Sequence, residues 1–157
     1  MTGLEWLDLS ATRITSLDGV APLSALQVLI LSRAEVSDLS PLKNFPGLRE
    51  LGLQETKVRD VGPLANLTNL TVLDLRETGV TDVTPLAGLS QLKELWLPDT
   101  VKDISPLAGL KDLKLVVLGP QQDESALQTI EGLTVGRYAD EELRIDGEWT
   151  FPRFWPP

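Results

Sequence analysis

A leading leucine returns at Leu4, Leu26, Leu48, Leu70, Leu92 and Leu113, in four steps of 22 residues and one of 21. A period of this size dictates architecture ahead of local propensity. Each unit is one supersecondary element that hides its apolar face only by stacking on the next. Other letters recur within the unit. Leu48-x-x-Leu51-x-Leu53 and Leu70-x-x-Leu73-x-Leu75 open it, Thr56 and Val58 or Thr78 and Val80 follow, and then come Asp60-Val61 or Asp82-Val83. Pro63-Leu64 or Pro85-Leu86 and a last Leu67 or Leu89 close it. Leucine makes up 31 of the 157 residues, far above ordinary usage.

This pattern resembles a leucine-rich-repeat array, specifically the 22-residue bacterial subclass seen in internalins. The likeness runs over residues 4–119. It implies an α/β fold: a right-handed solenoid with a parallel sheet on the concave face, short 3₁₀ or α turns on the convex face, and a C-terminal cap. The residues support the same picture, since the alternating leucines turn one strand face inward and a 22-residue unit is too small to bury that face alone. Two regions are expected: a solenoid over 1–119, about five and a half repeats, and a capping region over 120–157 with a short helix and a hairpin.

Each convex segment carries a start signal. Ser40-Pro41, Thr84-Pro85 and Ser105-Pro106 place a hydroxyl ahead of proline, the order of an N-cap and a first helical position, and Gly62-Pro63 is a weaker version. A segment as short as Pro85 to Leu89 is predicted to be 3₁₀ or a single α turn.

Stacking turns repeated residues into ladders. Thr12, Ala34, Thr56, Thr78 and Thr100 stand where members of the family usually have a buried asparagine, so a leaner hydrogen-bond network is expected, with Ala34 contributing nothing. Asp38, Asp60, Asp82 and Asp103 form a second ladder, with Ser16 at the matching place. Stacked carboxylates invite a calcium reading, but one Asp per repeat without a glycine-rich loop fits capping of the next turn better. No metal and no cofactor are expected.

Composition narrows the function. The chain has no cysteine and no histidine, which removes Ser-His-Asp and Cys-His nucleophiles, disulfides and the usual zinc or haem ligand sets. Gly-rich phosphate loops are absent too. The net charge of −9 disfavours nucleic acid as a partner. No apolar run approaches the ~20 residues that span a bilayer, and no leader pattern opens the chain, so no membrane partner is expected and the compartment is undetermined, with the cytoplasm weakly favoured. Asn66-Leu67-Thr68 and Asn69-Leu70-Thr71 match the glycosylation pattern but read more simply as repeat letters.

The alternate strand positions face the concave side and show no periodicity. The third position gives Trp6, Val28, Glu50, Val72, Glu94 and Leu115; the fifth gives Asp8, Ile30, Gly52, Asp74, Trp96 and Val117; the seventh gives Ser10, Ser32, Gln54, Arg76, Pro98 and Gly119. An exposed Trp96 among Glu50, Asp74, Arg76 and Glu94 has the composition of an interface hot spot, with Gly52 leaving a dent beside Asp74. Ile30 and Trp6 extend this candidate site. The competing reading is a solvated sheet face.

At the ends, the first strand begins by Leu4 with no cap before it, which reads as a fragment or as an edge open to self-association. Near the other end Ala126 to Gly132 reads as a final helix with Leu127, Ile130 and Leu133 inward, and Leu143 to Phe151 as a hairpin around Asp146-Gly147. Tyr138, Trp149, Phe151, Phe154 and Trp155 serve a cap, while Phe151 to Pro157 also has the composition of a Pro-aromatic ligand. Residues 1–119 carry a net −4 and residues 120–157 a net −5, so the acidity is no single field.

The function expected is non-enzymatic: recognition of a protein partner through the concave sheet. The alternative is a sensor or autoinhibitory segment of a larger signalling or effector protein. Catalysis by Glu50, Asp74 or Glu94 is disfavoured, because a flat wet surface neither excludes water nor shifts carboxylate pKa values usefully.

Overall fold

A computed structural model describes residues 3–20, 23–139, 142–145 and 148–150, with side chains characterised up to residue 137. The six leucine motifs each form a short strand: β1 (Trp6–Asp8), β2 (Val28–Ile30), β3 (Glu50–Gly52), β4 (Val72–Asp74), β5 (Glu94–Trp96) and β6 (Leu115–Leu118). β7 (Thr134–Ala139), β8 (Glu142–Ile145) and β9 (Glu148–Thr150) follow, and all nine lie in chain order in one sheet. Pairing is parallel from β1 to β7 and antiparallel from β7 to β9.

Each strand steps to its neighbour at the repeat period, so Leu7, Leu29, Leu51, Leu73, Leu95 and Val116 stand in line. Backbone bonds such as Leu31 N–H to Gly52 C=O and Leu53 N–H to Asp74 C=O carry the ladder beyond the strands. The inward leucines Leu26, Leu29, Leu31, Leu48, Leu51, Leu53, Leu70, Leu73 and Leu75 are fully buried, each worth about 1.5–3 kcal/mol relative to exposure. Phe45, the largest fully buried side chain, stands where the next repeats have Leu67 and Leu89.

The convex segments are 3₁₀ turns at Asp18–Val20, Ser40–Asn44, Gly62–Leu64, Thr84–Gly88, Ser105–Gly109 and Ser125–Leu127. Their caps differ from the hydroxyl caps expected. Ser40, Thr84 and Ser105 are already inside the turn, after Leu39, Val83 and Ile104, and no side chain bonds at those cap residues. The aspartate ladder caps instead: Asp38, Asp60, Asp82 and Asp103 accept from the amides of Ser40, Gly62, Thr84 and Ser105 at 2.7–2.9 Å. Ser16 does the same for Asp18 at 3.1 Å. A carboxylate two residues upstream reaches an amide that a residue inside the turn, facing outward, does not.

The repeat geometry outlasts the repeat sequence. Asp123 caps Ser125 at 2.9 Å and β7 still pairs in parallel with β6, so one more coil follows the last leucine motif. The final helix expected over Ala126 to Gly132 is only the 3₁₀ turn Ser125–Leu127 followed by turns, with Leu127 and Ile130 buried and Leu133 partly so. Gly132 takes φ +69° there, which ends any helical run. β8 and β9 pair through Ile145 and Glu148; the Asp146-Gly147 turn and the tail Phe151 to Pro157 lie outside the described residues. Among the described residues, no helix is long and apolar enough to cross a membrane.

Candidate functional site

Register fixes which side chains share the concave face. Trp6, Val28, Glu50, Val72, Glu94 and Leu115 form one column across β1 to β6, and Asp8, Ile30, Gly52, Asp74, Trp96 and Val117 form the next. The columns stand as read from the sequence, but their exposure does not.

Trp96 is 2% exposed. It packs with Val72, Val117 and the partly buried Leu115 in a small apolar cluster separate from the main core. The expectation of an exposed aromatic anchor is therefore wrong: a broad indole on a three-residue strand lies over its neighbours' aliphatic side chains.

Asp74 and Arg76 are also buried rather than offered to a partner. Arg76 Nε donates to Asp74 at 2.9 Å (Oδ1) and 3.1 Å (Oδ2), Nη2 donates to Oδ2, and the Arg76 amide reaches Oδ1 at 3.0 Å. Side-chain exposure is 8% for Arg76 and 0% for Asp74. Gln54 joins from the preceding coil, its Oε1 3.4 Å from Arg76 Nη2 and its Nε2 donating to Glu77 at 3.0 Å. The two charges answer each other in a bidentate pair.

The dent expected at Gly52 is filled. A Cβ there would lie 3.3 Å from Ile30 Cγ2 and 3.5 Å from Ser32 Oγ, so Ile30 leans over the glycine and is itself buried. What stays accessible is Trp6 at 57% and the exposed Asp8 on β1, with Val28, Glu50, Glu94 and Leu115 of the third column half-buried and Val72 buried.

The threonine ladder is lean, as expected. Thr12, Thr56 and Thr78 donate only within their own coil, to Leu9, Leu53 and Leu75 carbonyls at 2.6–2.7 Å, while Thr100 reaches the Val80 carbonyl of the coil before. Sequence reasoning missed Gln122. This buried amide accepts from Gly119 N–H at 2.7 Å and donates to the Pro98 and Val101 carbonyls at 3.0 and 2.7 Å, tying two coils together. The repeat shortens just before it, which hid its register.

A second omission is an exposed acidic rim at the strand ends: Glu55, Glu77 and Asp99, one per coil at 22-residue steps. Its spacing was the available signal. Arg33 closes one end, 2.5 Å from Glu55.

Hydrogen bonding holds Asp38, Asp82, Asp103 and Asp123 below the usual aspartate range. The Ser40, Thr84 and Ser105 hydroxyls contribute most to the first three and their amides next; for Asp123 the Ser125 amide leads. Among the described residues, no group of three or more aspartates or glutamates is placed to hold a metal ion. A cavity of about 180 Å³ between Asp99, Lys102, Pro120, Gln121 and Gln122 is smaller than ordinary ligand sites of ~300 Å³ or more.

The family pattern for leucine-rich repeats matches residues 46–88, spanning two repeats. Internalin C2 from Listeria monocytogenes is 37% identical with a TM-score of 0.79, over 84% of this chain and 60% of that one. The chain is an internalin-like leucine-rich-repeat protein. A second Listeria monocytogenes internalin is 27% identical to this internalin-like array at a TM-score of 0.69, over 84% of the array and 46% of its own length. A Leptospira interrogans leucine-rich-repeat protein shares the fold at 21% identity and a TM-score of 0.73, over 84% and 36%. The array thus spans 60% or less of each of these solved chains. No curated protein matches it. Leucine-rich repeats of this kind generally serve as protein–protein interaction modules.

Proposed function

We propose that this internalin-like array is a non-catalytic module that binds a protein partner along the third column of its concave face. The observation that carries the reading is the division of that face: from β2 to β6 the fifth column is packed closed, whereas in the third column Trp6 is exposed and Glu50 and Glu94 are half-exposed. An aromatic with large contact area and flanking acids on a fixed backbone loses little entropy on binding. Ile30, Gly52, Asp74, Arg76 and Trp96 then support the surface from beneath rather than touch the partner. The non-catalytic part of the reading rests on the residue inventory, which has neither histidine nor cysteine, and on the open setting of Glu50 and Glu94.

The test is affinity capture from lysate with the full chain, followed by mass spectrometry, comparing wild type with the Glu50→Lys/Glu94→Lys double variant and with Trp6→Ala. Specific captured proteins are expected to be lost on both substitutions while circular dichroism stays native. Equal recovery by folded variants overturns the concave-face reading.

A further inference from the structure

The residue just ahead of each strand builds a further column beside the three concave ones: Glu5, Gln27, Arg49, Thr71, Lys93 and Lys114, one per coil. Main-chain bonds join its members directly. Thr71 N–H donates to the Arg49 carbonyl, Lys93 N–H to the Thr71 carbonyl and Lys114 N–H to the Lys93 carbonyl, each at 2.8 Å. From β3 to β6 the column is basic, with Arg49, Lys93 and Lys114 exposed and Thr71 between them, its hydroxyl donating to the Arg49 carbonyl at 3.0 Å. Among the described residues, none of the three cations is in an ion pair. Lys93 and Lys114 stand on adjacent strands, about 4.8 Å apart at the backbone, where like charges repel. An anion set between them relieves that repulsion. The exposed rim of Glu55, Glu77 and Asp99 lies six residues further along, roughly 20 Å away against a screening length of about 8 Å in physiological salt, so it does not cancel the field here. Closer in sequence, Asp112 is offset by Lys111, and Glu50 and Glu94 belong to the concave third column.

We propose that this basic edge docks an acidic α-helix of the partner protein, laid across β3 to β6 along the axis of the solenoid. The proposal rests on the array being a protein-binding module and names the chemistry of what it binds. Spacing selects the helix. Successive coils set Arg49, Lys93 and Lys114 at about 0, 9.6 and 14.4 Å along the axis. A helix that rises 1.5 Å per residue puts carboxylates at i, i+7 and i+11 on one face, at about 0, 10.5 and 16.5 Å, a mismatch that flexible lysine and glutamate side chains absorb. An extended strand matches less well, because its same-face residues recur every ~6.8 Å and miss the short step between Lys93 and Lys114. The pairs formed lie at the surface, so each is worth little alone, and together they fix the register and orientation of the partner and speed its approach.

Fluorescence anisotropy tests this, with the full chain titrated into a labelled alanine-based helical peptide that carries glutamate at i, i+7 and i+11. The comparators are the same peptide with glutamine at those positions and the Lys93→Glu/Lys114→Glu variant of the chain. Both lysines are exposed, so the fold is expected to persist, which circular dichroism checks. In low salt the wild type is expected to bind the glutamate peptide at least tenfold more tightly than the glutamine peptide, and the variant to lose that preference. Added salt is expected to weaken the preference. Equal binding of the two peptides by wild type overturns the proposal, as does a preference that persists in the folded variant. Tighter binding of a short DNA duplex or of phosphatidylserine vesicles through the same two lysines also overturns it. The concave-face reading is judged separately, because Glu50→Lys/Glu94→Lys is expected to keep the glutamate peptide. Lysate capture lost in that variant without any peptide preference in wild type overturns the helix alone, whereas a peptide preference with capture indifferent to Glu50 and Glu94 overturns the third-column site alone.

Discussion

Arg76 folds back onto Asp74, two residues earlier on the same strand face, and the pair is closed off from solvent in the middle of the concave surface. This contact redirects the functional reading, because it removes from the surface the one cation in the three concave columns. It also carries an energetic consequence. Removing either partner strands the other charge without solvent, at a cost of about 3–5 kcal/mol. Asp74→Ala and Arg76→Ala are each expected to lose that much in urea denaturation, whereas Asp74→Leu/Arg76→Leu recovers most of it. A double variant no more stable than the singles shows that the pair is held for a reason other than mutual neutralisation.

Trp96 makes the same point on the apolar side. Its burial against Val72 and Val117 predicts that Trp96→Ala costs about 3–5 kcal/mol, as for other large aromatic truncations, and that any loss of binding in this variant follows its loss of fold. Trp6→Phe, in contrast, is expected to leave stability nearly unchanged and to remove a component of tryptophan fluorescence open to acrylamide quenching. Should Trp96→Phe remove the quenchable component instead, the assignment of the two indoles is reversed.

These two residues mark how far the sequence could be read. The period alone settled which residues stand side by side, because a coil that repeats every 22 residues leaves the strand register no freedom: Trp6 against Val28, Glu50 against Val72 and Asp74 against Trp96 all follow by counting. Exposure within a column is a different property. It depends on where long side chains fold, and the letters of Asp74, Arg76 and Trp96 look the same whether they reach outward or lie down. The i, i+2 pairing of opposite charges on one strand face was a usable hint, and so was Gly52, whose missing side chain lets Ile30 lean across. The caps were hidden for a local reason: Ser-Pro and Thr-Pro imitate a capping pair, while the acceptor sits two residues upstream at Asp38, Asp82 and Asp103.

A second periodic feature carries backbone strain. Ala11, Arg33, Glu55 and Glu77 sit at 22-residue steps with φ of 55–63°, the left-handed region that β-carbons disfavour. Ala11 has no side-chain partner to lose, so Ala11→Gly is expected to stabilise the chain by up to about 1 kcal/mol. Ala65→Gly is the control: with φ −55° and ψ −27° it is expected to destabilise by roughly 0.5–1 kcal/mol. Chemical denaturation of the two variants measures the difference, and equal shifts in the same direction would rule out strain at position 11.

Acid sensitivity follows from the aspartate caps. Asp38, Asp82, Asp103 and Asp123 titrate below the ordinary aspartate value because the folded chain donates hydrogen bonds to their ionised form. A folded pKa lower than the unfolded one means that the contribution to stability is complete above the unfolded value, about pH 4, and is lost as pH falls through the lower folded values. Melting temperature is therefore expected to fall as pH drops below about 4. Asparagine keeps an oxygen for the amide of the turn but cannot be protonated in this range. Asp38→Asn/Asp82→Asn/Asp103→Asn is accordingly expected to melt lower than wild type at pH 7 and to converge with it in acid, so that the two curves meet as the caps discharge. Parallel curves down to pH 2 would place the acid response elsewhere and leave the ladder as neutral scaffolding.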